Sequence, residues 1–426
     1  MMKMMNDAAM AAMTAEEMDA GDELRGFRER FHFPIPKSGA EPIYFTGNSL
    51  GLMPKKAKAY VDEELEDWQR LAVDAHMNAR HPWLPYHEFL TEQMSRIVGA
   101  QPNETVMMNS LTVNLHLMLV SFYRPTKERH KIVIERGAFP SDRYAVESQV
   151  KFHGFDPNTS LIELAPRDGE STLRTADILD LIERDGNSIA TVLLGGVNYY
   201  TGQAFQMREI TEAAHKVGAI AGFDLAHAAG NLKIDLHDWD VDFAVWCSYK
   251  YLNGGPGAVA GAFVHGRHSA SFDLPRFAGW WGHDKATRFM MGPDFAPLEG
   301  AEGWQISNPP ILQMAALRAS LEIFDEAGMS ALVEKSTRLT GYLESLISGL
   351  NDDRISILTP TDPAQRGCQL SIGVKDGDRS LQRRLVERGV YCDWREPGVI
   401  RVAPTPLYNS FQDCSNFITI LKECLA

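Results

Sequence analysis

A lysine and an aspartate each close an apolar, strand-like run. Gly222-Phe223-Asp224-Leu225-Ala226-His227 ends the run 219–223, and about two dozen residues later Cys247-Ser248-Tyr249-Lys250-Tyr251-Leu252-Asn253-Gly254-Gly255 follows the run 243–246. Ligands of open α/β sheets sit at the carboxyl ends of strands, so both polar ends face one crevice. Lysine condenses with aldehydes, and a neighbouring cation or desolvation lowers its pKa enough to make the amine nucleophilic. A carboxylate beside a pyridine nitrogen keeps that nitrogen protonated. The pair therefore suits pyridoxal 5′-phosphate, which takes a lysine on its aldehyde and an anion at its ring nitrogen. Lys250 is the expected anchor and Asp224 the expected ring partner, with His227 against the cofactor or orienting Asp224. Singly, each has an ordinary alternative, a solvated surface lysine or a helix-capping aspartate. As an ordered set they favour the cofactor.

Three further polar clusters lie upstream. Asn109-Ser110-Leu111-Thr112-Val113-Asn114 precedes a helix-like run, and a helix N-terminus with nearby hydroxyls seats a phosphate. Thr112 is the expected donor there, with a plain N-cap as the alternative. Ala138-Phe139-Pro140-Ser141-Asp142 follows the apolar run 131–135. Phe139 would stack on a flat ring there or fill the core. The stretch Gly195-Gly196-Val197-Asn198-Tyr199-Tyr200-Thr201-Gly202 ends another apolar run and would line the same crevice.

The elements that must position these residues are legible as alternation. Runs at 131–135, 190–194, 219–223, 243–246 and 261–264 are short, apolar and bounded by Gly, Pro or Asp, as strands are. A helical pattern from Met207 to Val217, stopped by Gly218, separates two of them. Such alternation predicts an α/β fold with a mostly parallel sheet covered by helices. After Asn308-Pro309-Pro310 the texture changes to helical spacing over 311–324 and 329–347, then to strand-like runs at 368–374 and 399–403 flanking an amphipathic piece at 381–388. This predicts a large domain over 45–310 and a smaller α+β domain over 311–426, with 1–44 an arm packed on the smaller one.

Composition narrows the function classes. The chain has 426 residues, 44% hydrophobic and 23% charged, as in an ordinary globular enzyme. A net charge of -14 argues against nucleic acid as a partner. Five cysteines without a C-x-x-C pair suggest neither a disulfide framework nor a zinc site, so no metal is expected and a reducing cytoplasm is the expected home. Cys247 reads as a small buried residue. The Met-rich start, 1–18, carries Asp7, Glu16 and Glu17 and reads as a disordered lead or short amphipathic helix rather than a signal peptide. No stretch approaches the length of a membrane span.

In order along the chain, seven clusters resemble kynureninase. They are Tyr44-Phe45-Thr46-Gly47-Asn48-Ser49-Leu50-Gly51, Phe139-Pro140-Ser141-Asp142, the pair Asp224 and His227, Ser248-Tyr249-Lys250-Tyr251-Leu252-Asn253, Gly279-Trp280-Trp281-Gly282-His283, Ile306-Ser307-Asn308-Pro309-Pro310 and Arg401-Val402-Ala403-Pro404. The resemblance runs from Tyr44 to Leu425. It implies the aspartate-aminotransferase-like fold (fold type I of pyridoxal-phosphate enzymes), with a seven-stranded-type sheet. It also implies a homodimer whose active site is shared between subunits, and a place in the kynurenine pathway of tryptophan degradation and NAD biosynthesis. The activity implied is hydrolytic Cβ–Cγ cleavage of L-kynurenine or its 3-hydroxy form to anthranilate or 3-hydroxyanthranilate plus L-alanine.

By the same resemblance, Leu111, Thr112, Phe139, Pro140, Ser141, Asp142, Asp224, His227, Tyr249 and Lys250 hold the cofactor, and Trp280 and Asn308 approach it from the neighbouring subunit. Arg401 clamps the substrate α-carboxylate, as a planar guanidinium does better than a lysine. Ser49, His76 and Asn308 are the other expected substrate contacts, the last two reading a ring hydroxyl and so favouring 3-hydroxykynurenine, with a surface histidine and a turn cap before Pro309-Pro310 as the alternatives. Lys250 moves the α-proton, and Tyr249 is the candidate donor to the departing Cβ. One departure stands out: Gly195 replaces a hydroxyl residue that relatives often carry near the phosphate, so that contact falls to backbone or is lost. Two other classes remain. An aminotransferase or cysteine desulfurase would share Asp224 and Lys250, but a desulfurase needs a mobile-loop cysteine. A non-catalytic pyridoxal-phosphate-binding regulator would not need Arg401 or the Trp280-Trp281 pair.

Overall fold

Short β-rich runs become the strands of a seven-stranded sheet: β1 (Thr105–Met107), β2 (Lys131–Glu135), β3 (Leu161–Leu164), β4 (Ile189–Gly195), β5 (Ile220–Asp224), β6 (Phe243–Trp246) and β7 (Gly261–Val264). The computed structural model describes residues 13–36, 39 and 41–426. The spatial order is β1-β7-β6-β5-β4-β2-β3. Parallel pairing joins β3, β2, β4, β5 and β6 in that order. Strand β7 runs antiparallel to both β6 and β1.

Side chains alternate between two cores, as strand geometry requires. Ile132, Ile134, Phe243 and Val245 pack with Leu115, Phe122 and Val146 of the helices Leu111–Phe122 and Pro140–Phe152. Val133, Ala244 and Trp246 face the opposite core with Met94, Ile178, Ile210 and Leu321. Both faces are therefore covered, which is why the strands read as continuous apolar runs. The edge strands β1 and β3 escape that reading because they are short and carry polar residues.

The smaller unit is a four-stranded antiparallel sheet of Ile355–Ile357, Leu370–Val374, Val399–Val402 and Asp393–Arg395, in that order. Helices Met329–Ser348, Arg379–Glu387 and Phe411–Leu425 share its core through Leu339, Leu343, Leu385 and Phe417. Two of its strands lie outside the sequence expectation, and both are only three residues long. Helix Ile311–Ala327, expected with this unit, instead packs on Ala57–Leu71 and Glu88–Val98. Its Met314, Leu317 and Phe324 belong to the large core. The change of texture at residue 311 therefore marks a change of element rather than of core.

The N-terminal segment serves both units. Thr14 and Glu17 form a capping box on helix Ala15–Ala20, whose Met18 is buried in the small core. Ile43–Tyr44 pairs in parallel with Val390–Tyr391. Leu24 and Phe31 join the large core. A buried ion pair at 2.7 Å, Asp22 with Lys335, fastens the segment to helix Met329–Ser348. Residues 1–12, most of the Met-rich start, lie outside the described residues. Among the described residues no helix is long and apolar enough to cross a membrane.

Candidate active site

The carboxyl ends of β2, β4 and β5 and the loop after β6 enclose a cleft of about 750 Å³, counted with its open mouth. Its walls include Leu111, Thr112, Glu135, Phe139, Ser141, Asp142. Across from these stand Asn198, Tyr199, Asp224, His227, Tyr249 and Lys250. Sheet register sets the floor: Gly195 pairs with Asp224, and Asp224 with Val245. Asp224 is the last residue of β5, and its Oδ1 accepts the Ala226 N–H at 2.7 Å. Lys250 projects from the loop that follows β6. Gly51 packs against the back of that loop, where its N–H bonds the Tyr249 carbonyl at 2.8 Å and a Cβ would meet the Lys250 carbonyl at 2.3 Å. Only glycine lets the two backbones approach so closely.

Lys250 Nζ lies 2.9 Å from His227 Nε2. Burial, then the charges of Lys250 and Arg401, hold the His227 pKa well below its ordinary value. The neutral ring therefore accepts from the lysine and carries its proton on Nδ1. His227 thus contacts Lys250, rather than orienting Asp224 as one sequence expectation had it. Burial raises the Asp224 pKa, against the Ala226 N–H and Lys250. Asp142 lies against Asp224, and burial together with that charge pushes its carboxyl well above the usual range. Burial likewise raises the Tyr249 phenol.

At one end of the cleft two helices begin, Leu111–Phe122 and Pro140–Phe152, neither capped by a side chain. Thr112 and Ser141, both in first turns, touch through their hydroxyls at 2.8 Å. Thr112 lies inside its helix; Ser110 is the N-cap. Phe139 stands beside them, its ring edge-on to Tyr199 with centroids 5.3 Å apart, and the Lys250 amine lies 5.9 Å from that ring.

Two buried atoms of the walls, Asp142 Oδ1 and His227 Nδ1, lack a partner in the protein. Buried polar groups are almost always paired, so their geometry suits a polar occupant. The donor set fits pyridoxal 5′-phosphate: two helix N-termini with hydroxyls for a dianion, an aromatic face, a carboxylate pair for a ring cation and a lysine for an aldehyde. Gly195 offers no free contact to it. Its N–H is donated to Glu135 Oε1 at 2.7 Å, and a Cβ there would stand 3.0 Å from the same oxygen. A contact from that N–H to the cofactor would have to displace the bond to Glu135.

Six expected residues stand apart from the cleft walls. Pro140 is the first residue of its helix and shapes the Phe139 loop. Ser49 is in a turn, its N–H on the Thr46 carbonyl. His76 belongs to the one-turn helix Ala75–Asn78, with Nδ1 2.9 Å from the Val73 carbonyl and its ring edge-on to Trp83. Trp280 Nε1 donates to Asn308 Oδ1 at 3.1 Å, both exposed and away from Lys250. Arg401 is 1% exposed and reaches the site indirectly: Nη1 donates to the Tyr199 carbonyl at 2.8 Å, Nε to Asp393 Oδ1 at 2.8 Å, and Nη2 also faces Asp393.

Glu135 and Asp393 were not anticipated. Glu135 reads as the solvated end of a strand, although it ends a run whose other members are apolar. Asp393 could be found from Glu396-Pro397-Gly398, a turn signal that folds 393–395 back on 399–401 and sets Asp393 opposite Arg401.

Comparison with known proteins agrees with this geometry. A family model described as the kynureninase C-terminal domain matches residues 332–421. The kynureninase of Koribacter versatilis is 62% identical over 415 residues, 96% of this chain and 98% of that protein. The kynureninase of Myxococcus xanthus is 60% identical over 408 residues, 96% of each. Among solved structures, the cystine C-S lyase C-DES in complex with cysteine persulfide superposes with TM-score 0.75 at 18% identity, covering 90% of this chain and 98% of that one. The cysteine desulfurase CsdA of Escherichia coli does so with TM-score 0.75 at 15% identity, covering 95% and 98%. At those identities the likeness is one of fold.

Proposed function

The chain belongs to the kynureninase family, and we propose that the cleft at Lys250 is where it hydrolyses the Cβ–Cγ bond of L-kynurenine, with pyridoxal 5′-phosphate, to anthranilate and L-alanine. The observation that carries this is the meeting of the Lys250 amine, the Asp224 carboxylate and two hydroxyl-bearing helix N-termini in one cleft. When bound, the cofactor supplies an aldehyde for amines and a ring that draws electrons from the substrate carbons.

The residues divide the remaining work. Thr112 and Ser141, with the first N–H groups of their helices, hold the phosphate end. Phe139 would lie against the ring, and Asp224 would accept from its nitrogen. His227, kept neutral, accepts a hydrogen bond from Lys250 and orients the amine that, once the substrate amine has displaced it, takes the proton from the substrate α-carbon. Tyr249, whose phenol stays protonated because burial raises its pKa, donates to Cβ as the bond breaks. Arg401 clamps the α-carboxylate. Three of its five N–H groups are engaged by Tyr199 and Asp393, which leaves two for a bidentate partner.

A desulfurase reading, which the fold alone would allow, finds no nucleophile here: all five cysteines are buried and none lines the cleft. The same reduced thiols support a cytoplasmic home, and the activity a place in the kynurenine pathway of tryptophan degradation and NAD biosynthesis. We read the enzyme as a homodimer in which Trp280 and Asn308 of each subunit complete the other's cleft. What supports this is an apolar surface beside them, Phe289, Met290 and Met291, the last two 75% and 76% exposed. His76 and Asn308 would then border the substrate ring and favour the 3-hydroxy form. The test is product analysis: cofactor-loaded protein with L-kynurenine should release fluorescent anthranilate and alanine in equal amounts. A keto acid in place of alanine would point to amino-group transfer instead.

A further inference from the structure

Glu135 closes β2 at the cleft floor, 5% exposed, and no step above uses it. Both its oxygens are engaged: Oε1 accepts the Gly195 N–H at 2.7 Å and Oε2 accepts Asn198 Nδ2 at 2.6 Å. Asn198 Oδ1 in turn accepts the N–H groups of Tyr200 and Thr201, at 3.0 and 2.9 Å, and the Thr201 hydroxyl at 3.1 Å. These bonds close a turn whose successive carbonyls all face the smaller unit. Tyr199 accepts from Arg401 Nη1 at 2.8 Å and Gln369 Nε2 at 3.2 Å. Tyr200 accepts from the Ser371 hydroxyl, and Thr201 from the Thr359 hydroxyl, each at 2.6 Å. Gly202, with φ of +76°, ends the turn where a Cβ would meet the Gln369 carbonyl at 3.0 Å.

We propose that Glu135 is a positioning residue for the substrate-carboxylate clamp, fixing through Asn198 the turn on which Arg401 rests. This depends on the reading of Arg401 as that clamp. The carboxylate lies on the large sheet and the guanidinium on the small one, so the turn sets the distance between the clamp and Lys250. Glutamine at 135 matches only half of the pattern. With its carbonyl on the Gly195 N–H, its amide N–H groups confront Asn198 Nδ2, donor against donor. Asn198 cannot turn over to relieve this, because its oxygen holds the turn. Asn198→Asp removes the conflict, since one aspartate oxygen takes the turn and the other accepts from the glutamine, with total charge unchanged.

The experiment measures kcat and KM for L-kynurenine in holoenzymes carrying Glu135→Gln, Glu135→Gln with Asn198→Asp, and Arg401→Lys, along with the absorbance of the lysine-bound cofactor. Glu135→Gln should raise KM about tenfold with kcat within about threefold and the absorbance unchanged, the pattern of lost binding rather than lost chemistry. The double variant should return KM to within about threefold of wild type, and this must hold even if the single variant does not fold. The proposal is overturned by an unchanged KM in Glu135→Gln where Arg401→Lys raises it, or by a double variant that fails to restore KM. A fall in kcat with a changed cofactor spectrum at unchanged KM overturns it too, since that would assign Glu135 to the ring's electrostatics. If Arg401→Lys itself leaves KM alone, it is the clamp reading that fails.

Discussion

Asp224 shares its corner with two other acids, buried Glu135 and half-buried Asp142, and desolvation raises the pKa of all three. Such a cluster is tolerable only opposite a cation. Lys250 provides one, and a protonated ring nitrogen would be the second in the holoenzyme. Asp224→Asn should therefore retain the lysine-bound cofactor but lose roughly ten- to a hundredfold in kcat, since a hydrogen bond to a charged group is worth about 1.5–3 kcal/mol. A kcat within a few-fold of wild type would mean that the ring is held protonated by another group. Substrate choice is a second matter of single residues. Wild type should show the higher kcat/KM for 3-hydroxykynurenine, and the double change His76→Trp, Asn308→Thr should erode that preference, because a polar pocket built for a hydroxyl penalises its absence. A preference for plain kynurenine, or a ratio indifferent to both changes, would remove these residues from that role. The cleft's polar residues were legible where they end apolar runs, as Asp224 and Lys250 do. Glu135 also ends an apolar run but was not legible, because its partners, Gly195 at the end of β4 and Asn198 in the turn beyond, meet it only in the folded register.

The segment that carries Trp280 is fastened to the large unit by charge. Lys285 Nζ bridges Glu88 at 2.9 Å and Glu302 at 2.7 Å, and His87 Nε2 lies 3.3 Å from Glu302. Burial alone would raise the Glu302 pKa, but His87 and Lys285 bring it down from 4.5 to about 2. A depressed folded-state pKa stabilises above the unfolded value and is lost as pH falls through the folded one. Unfolding free energy should thus decline between pH 4.5 and about 2 by up to about 3 kcal/mol from this group, at 1.36 kcal/mol per pH unit. Glu302→Gln should be less stable than wild type at pH 7, with a gap that closes toward pH 2. Denaturant titrations at both pH values decide this, and a pH-independent gap would show that the charge contributes nothing. At this scale the sequence disclosed the central strands and the helices Met207–Lys216, Ile311–Ala327 and Met329–Ser348 to within a few residues, but not Ala57–Leu71 or Phe411–Leu425. It concealed the three-residue strands, which have too few positions to show a period. It also misassigned helix Ile311–Ala327, whose apolar face has the right spacing but gives no hint of which core receives it. We place the boundary between the units near Gly328, ahead of the region matched by the family model.

Taken whole, one chain brings Lys250, Asp224, Thr112 and Ser141 into one cleft, while Trp280, Asn308 and His76 lie outside its walls. Light scattering should accordingly return the mass of two chains. Met290→Asp with Met291→Asp should shift the mass toward one chain and lower activity without unfolding the protein, because charged groups do not bury in an apolar interface. An active monomer would leave the clefts self-sufficient. The assignment of Lys250 underlies every other role, and it is open to direct chemical reading. Holoenzyme reduced with borohydride, digested and analysed by mass spectrometry should carry the reduced cofactor on the peptide containing Lys250, with activity lost in proportion to labelling. Labelling confined to another lysine, or full activity after Lys250 is labelled, would contradict the cleft as the site of reaction.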